Sequence, residues 1–449
     1  MTTRLRENYK LIESGVGHHL FATNGSRVFD LDAATADRVA ALFVNGSDDD
    51  AGRFEGALGI EHQFIESQAP EVPPLRALSL NVAQACNLGC KYCYADEGLF
   101  GGKARSMSVD TAKASVDRLM AEAGPGADVV VGFMGGEPLL NRKVVHEATA
   151  YAAAAAAKAG GRAKFTITTN ATTVRDEDAQ LFRDHRFMVT VSLDGGREVN
   201  DRMRPDHRGR GSYDRALAGL RRIVAEDGPG HVAARITVTR GSGDLLDILR
   251  DVLALGVGDA GFAPVQVSPD TALEFQRDDF AWFLDQMKRC GAASRDALLH
   301  RERFPFSNFE TALHEIHRGS HRPYPCGAGA AYLSVNADGG LYGCHRLVDD
   351  PNWAMGDVAT GPDDAVRAAH LDRRHVDRQE PCKSCWARYL CGGGCYHEVD
   401  RRGRIHCDYV RGWLEFCIAA YAELCTRIPD YFVDPENHFQ AGPEAAPIN

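Results

Sequence analysis

Between residues 75 and 268 the chain alternates six apolar stretches with five helical ones, and this alternation constrains the fold more than any other feature. Strands are expected at 76–83, 127–134, 163–169, 187–193, 232–239 and 260–267, where apolar residues recur at period two or in short runs. Helices are expected near 108–123, 142–158, 176–184, 213–226 and 243–255. Such alternation predicts a parallel sheet with right-handed crossovers. In parallel barrels the chemistry sits at the C-terminal ends of the strands, in the loops that follow. The conspicuous motifs of this chain fall at those ends, so pattern and chemistry agree.

The first expected strand runs straight into Cys86-Asn-Leu-Gly-Cys90-Lys-Tyr-Cys93, three thiols spaced Cx3Cx2C. Three thiolates fill three of the four ligand positions of a cubane iron–sulfur cluster and leave one iron open. A chelating ligand such as S-adenosylmethionine (SAM), with its amino and carboxylate groups, suits that vacancy. Two alternatives stand beside this reading: a zinc knuckle, which wants a nearby fourth ligand, and a chance grouping of buried cysteines.

A second cysteine array lies near the C-terminus. Cys326, Gly339 and Cys344 are spaced Cx12Gx4C; Cys382, Cys385, Cys391 and Cys395 follow as Cx2Cx5Cx3C, and Cys407 closes the set. Zinc ribbons also use CxxC pairs, so zinc is the physical alternative. Cys290, Cys417 and Cys425 fall on apolar helical stretches and read as packing residues. Thirteen cysteines in a chain whose first 30 residues lack the apolar core of a signal peptide read as metal thiolates rather than as a disulfide framework. The expected location is therefore the cytoplasm. A net charge of −11 argues against a nucleic-acid binder, and no apolar run is long enough to span a bilayer.

The flanking segments read as separate units. Residues 1–74 are expected to form a small α+β unit: a hairpin over 18–31 turning at Asn24-Gly25, a helix over 33–43, a break at 45–50, a second helical piece over 52–66, and a linker at Glu71-Val-Pro-Pro74. His18 and His19 read as ordinary hairpin residues. Residues 270–320 are helical and charged, and the tail at 429–449 carries no readable chemistry.

With the Cx3Cx2C loop and Tyr92 before its third cysteine, the chain resembles the radical SAM superfamily. The resemblance implies a partial (β/α)6 TIM-like barrel over 75–320. It also implies a 4Fe-4S cluster on Cys86, Cys90 and Cys93 whose electron cleaves SAM to a 5′-deoxyadenosyl radical. Gly135-Gly-Glu-Pro138 looks like the family's GGEP motif, so Gly135, Gly136, Glu137 and Pro138 are expected around the SAM amino group. Ser192-Leu-Asp-Gly195 with Arg204 is similar to its SxDG…R segment, which implies that Ser192 and Arg204 hold the SAM carboxylate; Asn170, Asp194 and Tyr92 join the expected SAM site. The C-terminal array resembles the SPASM domain, here 321–428. That likeness implies two auxiliary 4Fe-4S clusters, one on Cys382, Cys385, Cys391 and Cys407, and one nearer the substrate on Cys326, Cys344 and Cys395, its fourth ligand unassigned. Residues 1–74 are similar to leader-peptide recognition elements, with a structural lid as the alternative.

SPASM enzymes mostly modify peptides and proteins. The expected substrate is therefore a precursor peptide or protein, and the expected reductant a flavodoxin or ferredoxin. In anaerobic sulfatase-maturing enzymes an Asp base follows the second SPASM cysteine, whereas His345-Arg346 follows Cys344 here. Gly343-Cys-His-Arg-Leu-Val348 and Met355-Gly-Asp-Val358 look more like the thioether-forming maturases, among them the six-cysteine-peptide and quinohemoprotein amine dehydrogenase maturases. A Cys sulfur-to-carbon cross-link is the expected product. Carbon–carbon or carbon–oxygen cross-linking and formylglycine formation are the alternatives. His345 and Arg346 are the candidates for orienting substrate.

Overall fold

The computed structural model describes residues 3–59, 69–225 and 228–433. Its centre is a parallel sheet made of the expected six strands. In chain order the protein's strands are β1 Tyr9–Ser14, β2 Gly17–Ala22, β3 Arg27–Leu31, β4 Ala77–Gln84, β5 Arg105–Ser106, β6 Val129–Gly135, β7 Ala163–Thr169, β8 Met188–Ser192, β9 His231–Val238, β10 Asp259–Pro264, β11 Tyr332–Val335, β12 Gly340–Tyr342, β13 Ala354–Asp357 and β14 Gly361–Pro362. Strands β4, β6, β7, β8, β9 and β10 lie side by side in that order, all parallel.

The helices Val109–Ala123, Arg142–Lys158, Asp176–Asp184, Tyr213–Ile223 and Leu245–Leu253 connect them, each within a few residues of expectation. Their apolar stripes pack on the outer face of the sheet, where Leu119, Val145, Phe182, Leu220 and Leu249 are buried against Val131, Phe165, Val189 and Ile236. A further short helix, Arg197–Met203, follows β8.

The sheet does not stop at the barrel. β11 pairs in parallel with β4, Tyr332 opposite Ala77 and Val335 opposite Leu80, and the antiparallel strands β12, β13 and β14 extend it. At the join, Ser79 bonds Tyr332 and Ser334, and the Asn81 amide donates to Ser334 Oγ at 2.7 Å. The cysteine-rich region thereby continues the barrel sheet past its first strand. Helices Asp279–Leu299, Ser307–His317 and Cys407–Arg427 pack together beside β10, and Cys290 and Cys417 are fully buried among them.

The N-terminal part differs from expectation in three ways. The hairpin gains a third strand, β1, paired antiparallel with β2. Its connection to β3 is a four-residue loop over 23–26, with Ala22 opposite Arg27, rather than a two-residue turn. The longer loop serves anchoring: Thr23 Oγ1 donates to Trp386 O, and Ser26 Oγ to Ser320 O. The third difference is that the second helix runs Asp48–Ala57, so the acidic run expected as a break forms its first turn. Ser47 and Asp50 close a capping box there, and acids favour a helix N-terminus. The expected helical stretch beyond residue 59 lies outside the described residues. His19 is buried, held between Ser14 and Asp30.

Candidate functional site

The C-terminal ends of β4 and β6 to β10 open on one cavity of about 360 Å³. Cys86, Cys90, Tyr92 and Cys93 line it from the loop after β4, Gly135 and Gly136 from the end of β6, Asn170 from β7, and Ser192 from β8. Its other side is built by His345, Arg346, His397 and Glu398, the sequence neighbours of Cys344 and Cys395.

The two glycines are required by proximity. Gly135 sits at φ +137°, and a Cβ there would stand 2.3 Å from Ala83 O. At Gly136 a Cβ would stand 2.3 Å from Ala85 O and 2.9 Å from Cys86 N. Backbone against backbone leaves no room to yield, so glycine alone lets the end of β6 meet the cysteine loop.

Glu137 and Pro138 depart from their expected place. Both are buried away from the cavity lining. The Glu137 carboxylate accepts from Leu139 N, Thr169 Oγ1 and Asn170 N, so it ties the end of β6 to the end of β7. Burial raises its pKa despite these donors. Asp194 is likewise absent from the lining: it accepts from the Tyr92 hydroxyl and from Thr237 N. Arg204 lines the cavity, and it donates to Tyr92 at 2.6 Å and stands 3.9 Å from Asp194. A guanidinium, a phenol and a carboxylate thus form one buried relay behind Cys90. Asn170 hydrogen-bonds Asn87 and approaches Cys86 Sγ at 3.8 Å.

Two further thiol groups form in the C-terminal region. Cys344 is close enough to feel the charges of Cys326 and Cys395. Cys391 is coupled in the same way to Cys382, Cys385 and Cys407, and these four enclose a small pocket of about 30 Å³ with Arg404 and Arg411. None of the thirteen cysteines is in a disulfide. Burial pushes Cys86 and Cys344 up to about 12 and Cys326 up to about 11. Among the described residues, no three His, Cys, Asp or Glu side chains converge as the ligands of a single ion would.

His345 is buried beside Tyr332 Oη at 3.1 Å, and burial with the neighbouring Arg346 pushes its pKa down to about 3. Arg346 pairs with Glu398 at 3.0 Å and lies over the Tyr94 ring, 5.0 Å from its centroid. Sequence reasoning missed Tyr94, Arg235, Gln266, His397 and Glu398. The signal was there for Tyr94, His397 and Glu398, which follow cysteines by one, two and three positions. Arg235 was visible as the lone charge inside a half-apolar strand.

A parallel α/β partial barrel with a three-thiol loop at its strand ends defines the class. Residues 80–252, less than half of the chain, match the family described as the radical SAM superfamily, a match that implies a 4Fe-4S cluster and SAM. Over 376 residues it is 25% identical to a serine-type anaerobic sulfatase-maturating enzyme of Klebsiella aerogenes, covering 76% of this chain and 85% of that enzyme. The solved structure of native anSMEcpe with bound AdoMet superposes with a TM-score of 0.68 at 18% identity, over 79% of this chain and all of that one. Streptococcus suis SuiB bound to precursor peptide SuiA gives a TM-score of 0.53 at 15% identity, over 89% and 97% of the two chains. Both share the fold.

Proposed function

We propose that the protein modifies a peptide or protein by radical chemistry, and that its product is a thioether between a cysteine sulfur and a carbon. One observation carries this reading: the barrel thiols and the residues beside Cys344 and Cys395 face the same cavity. When bound, the barrel cluster and SAM supply hydrogen abstraction from carbon. Cys86, Cys90 and Cys93 would hold that cluster. Cys326, Cys344 and Cys395, and separately Cys382, Cys385, Cys391 and Cys407, would hold two more. Gly135, Gly136, Asn170 and Ser192 would border SAM, with Tyr92 and Arg204 beneath.

This assignment divides the chain into an N-terminal unit at 1–74, a barrel at 75–320 and a SPASM module at 321–428. The chain's own contribution is positional. The cavity is open at one side, and the small inner residues Thr190 and Ala233 leave room for an extended substrate segment. Joining sulfur to carbon removes two hydrogens from the substrate: one would leave as a hydrogen atom to the SAM-derived radical, the other as a proton with one electron for a cluster to accept, and a flavodoxin- or ferredoxin-type protein fits as the one-electron reductant of the barrel cluster.

Formylglycine formation is the second reading, favoured by the likeness to sulfatase-maturating enzymes. Against it, the residue after Cys344 is a buried histidine bound to Tyr332, and the next is an arginine already paired with Glu398. Mass spectrometry on cysteine-containing peptides encoded beside the gene, co-expressed anaerobically, separates the readings. A product two hydrogens lighter with one cysteine no longer alkylatable supports the thioether. The same loss with every cysteine alkylatable moves the assignment to carbon–carbon or carbon–oxygen bonds. An aldehyde in place of a serine or cysteine side chain overturns it in favour of formylglycine.

A further inference from the structure

Charged groups that face the cavity are paired, with one exception. Arg204 is bound by Tyr92 and Asp194, Arg346 by Glu398, and Asp259 by His231. Glu398 also accepts from Gln266. Arg235 alone, among the described residues lining the cavity, has a charged side chain with neither a hydrogen bond nor an ion pair.

The strand that carries it explains its direction. On β9, Val232, Ala234, Ile236 and Val238 are buried against the helices, while Ala233, Arg235 and Thr237 alternate with them and line the cavity. The neighbouring inner positions are small: Thr190 and Ser192 on β8, Gly261 and Ala263 on β10. Gly261 pairs directly with Arg235. A long cation therefore stands among short side chains, with the hydroxyl of Ser307 filling the place beside Gly261.

Arg346 brings like charge close to it, and the Glu398 carboxylate that could offset Arg235 is already held by Arg346 and Gln266. A half-buried guanidinium with no bonded partner is matched by an anion that arrives with the ligand. A carboxylate, which it can hold through two parallel bonds, is the matching group.

We propose that Arg235 is a specificity residue that takes a carboxylate of the substrate, placing an acidic side chain or chain terminus between the barrel thiols and the Cys344–Cys395 wall. This deepens the peptide-modifying reading and rests on it. SAM carries a carboxylate too, and the side of the cavity decides between them. Arg204 is bonded to Tyr92 of the cysteine loop, whereas Arg235 lines the cavity from β9, four strands from β4.

The test uses full-length, cluster-reconstituted protein with SAM present, and two isosteric probes, N-acetylglutamate methylamide and N-acetylglutamine methylamide. Ligand-observed NMR measures the affinity of each. Wild-type protein is expected to prefer the acid about tenfold, and Arg235→Gln to lose that preference while SAM affinity stays within twofold. Arg235→Lys should keep part of it, because charge survives and the two-pronged geometry does not. Equal affinity for acid and amide in the wild type, or an acid preference that persists in Arg235→Gln, overturns the proposal. A tenfold loss of SAM affinity in Arg235→Gln also overturns it, by assigning the cation to the SAM carboxylate. The probes are not peptides, so this result is separate from the co-expression experiment on the reaction itself.

Discussion

Cys86 lines the cavity, while Cys344 lies one residue behind its wall, and this placement separates their expected roles. Cys86→Ala should reduce SAM cleavage to background, because it would remove one of the three thiols proposed to hold the barrel cluster. Cys344→Ala should retain measurable cleavage yet give no modified peptide. Counting 5′-deoxyadenosine against product by chromatography checks both, and full product from Cys344→Ala would remove the C-terminal thiols from the reaction. Away from the cavity, Glu310 offers a stability test. Burial and the nearby Asp259 push its pKa up to about 8, only partly countered by Arg303, and its Oε1 is buried without a hydrogen-bond partner. The folded state thus holds a proton that the unfolded chain releases above its ordinary value near 4.5. Any stability this gives is complete below pH 4.5 and is lost as pH rises through 8. Glu310→Gln mimics the protonated form at all pH values. Its Tm should match wild type near pH 5 and exceed it near pH 8, and a constant difference across that range would exclude the linkage.

At the scale of elements, the contact of β6 with the cysteine loop is the tightest junction in the site. Gly136→Ala puts a methyl against Ala85 O and Cys86 N, so the loop must move, at about 1–3 kcal/mol for an overpacked position. The expected result is reduced iron at the barrel site with the C-terminal sites unchanged, read by iron count and Mössbauer spectroscopy of anaerobic protein. Loss of iron from all sites alike would instead mean general misfolding. The six barrel strands were legible because each is an apolar run bounded by turn residues, and their observed bounds lie within three residues of expectation. β11 was not legible. It has four residues, and its partner β4 lies some 250 positions earlier, a pairing that no local pattern encodes. The helix Arg197–Met203 was hidden in a motif read for its ligands, since seven residues with one apolar pair, Val199 and Met203, give too short a pattern to read. The cysteine groups were legible from spacing alone. The burial of Glu137 was not, because its three donors come from two strand ends that only the fold brings together.

For the whole molecule, the N-terminal unit is held by the cysteine-rich region rather than by the barrel strands. Phe21 meets the Trp386 ring edge-on at 5.7 Å, Arg388 donates to Glu7 O and Asn8 Oδ1, His321 Nδ1 accepts from Gly25 N, and Lys10 pairs with Glu415 at 3.1 Å. Trp386 immediately follows Cys385, so the dock and the distal thiol set share one turn of chain. The dock is also the N-terminal unit's weakest link. The Lys10–Glu415 pair is partly exposed and contributes little, so the aromatic contact with the buried and half-buried bonds around it should dominate. Trp386→Ala is expected to cost about 3 kcal/mol at the dock. Hydrogen exchange should then quicken across β1, β2 and β3 more than across β6 to β9, because the N-terminal strands lose their aromatic contact directly while the stacked Phe133 and Phe187 of the same core keep theirs. Uniformly faster exchange through the barrel would show instead that the N-terminal unit and the barrel unfold as one.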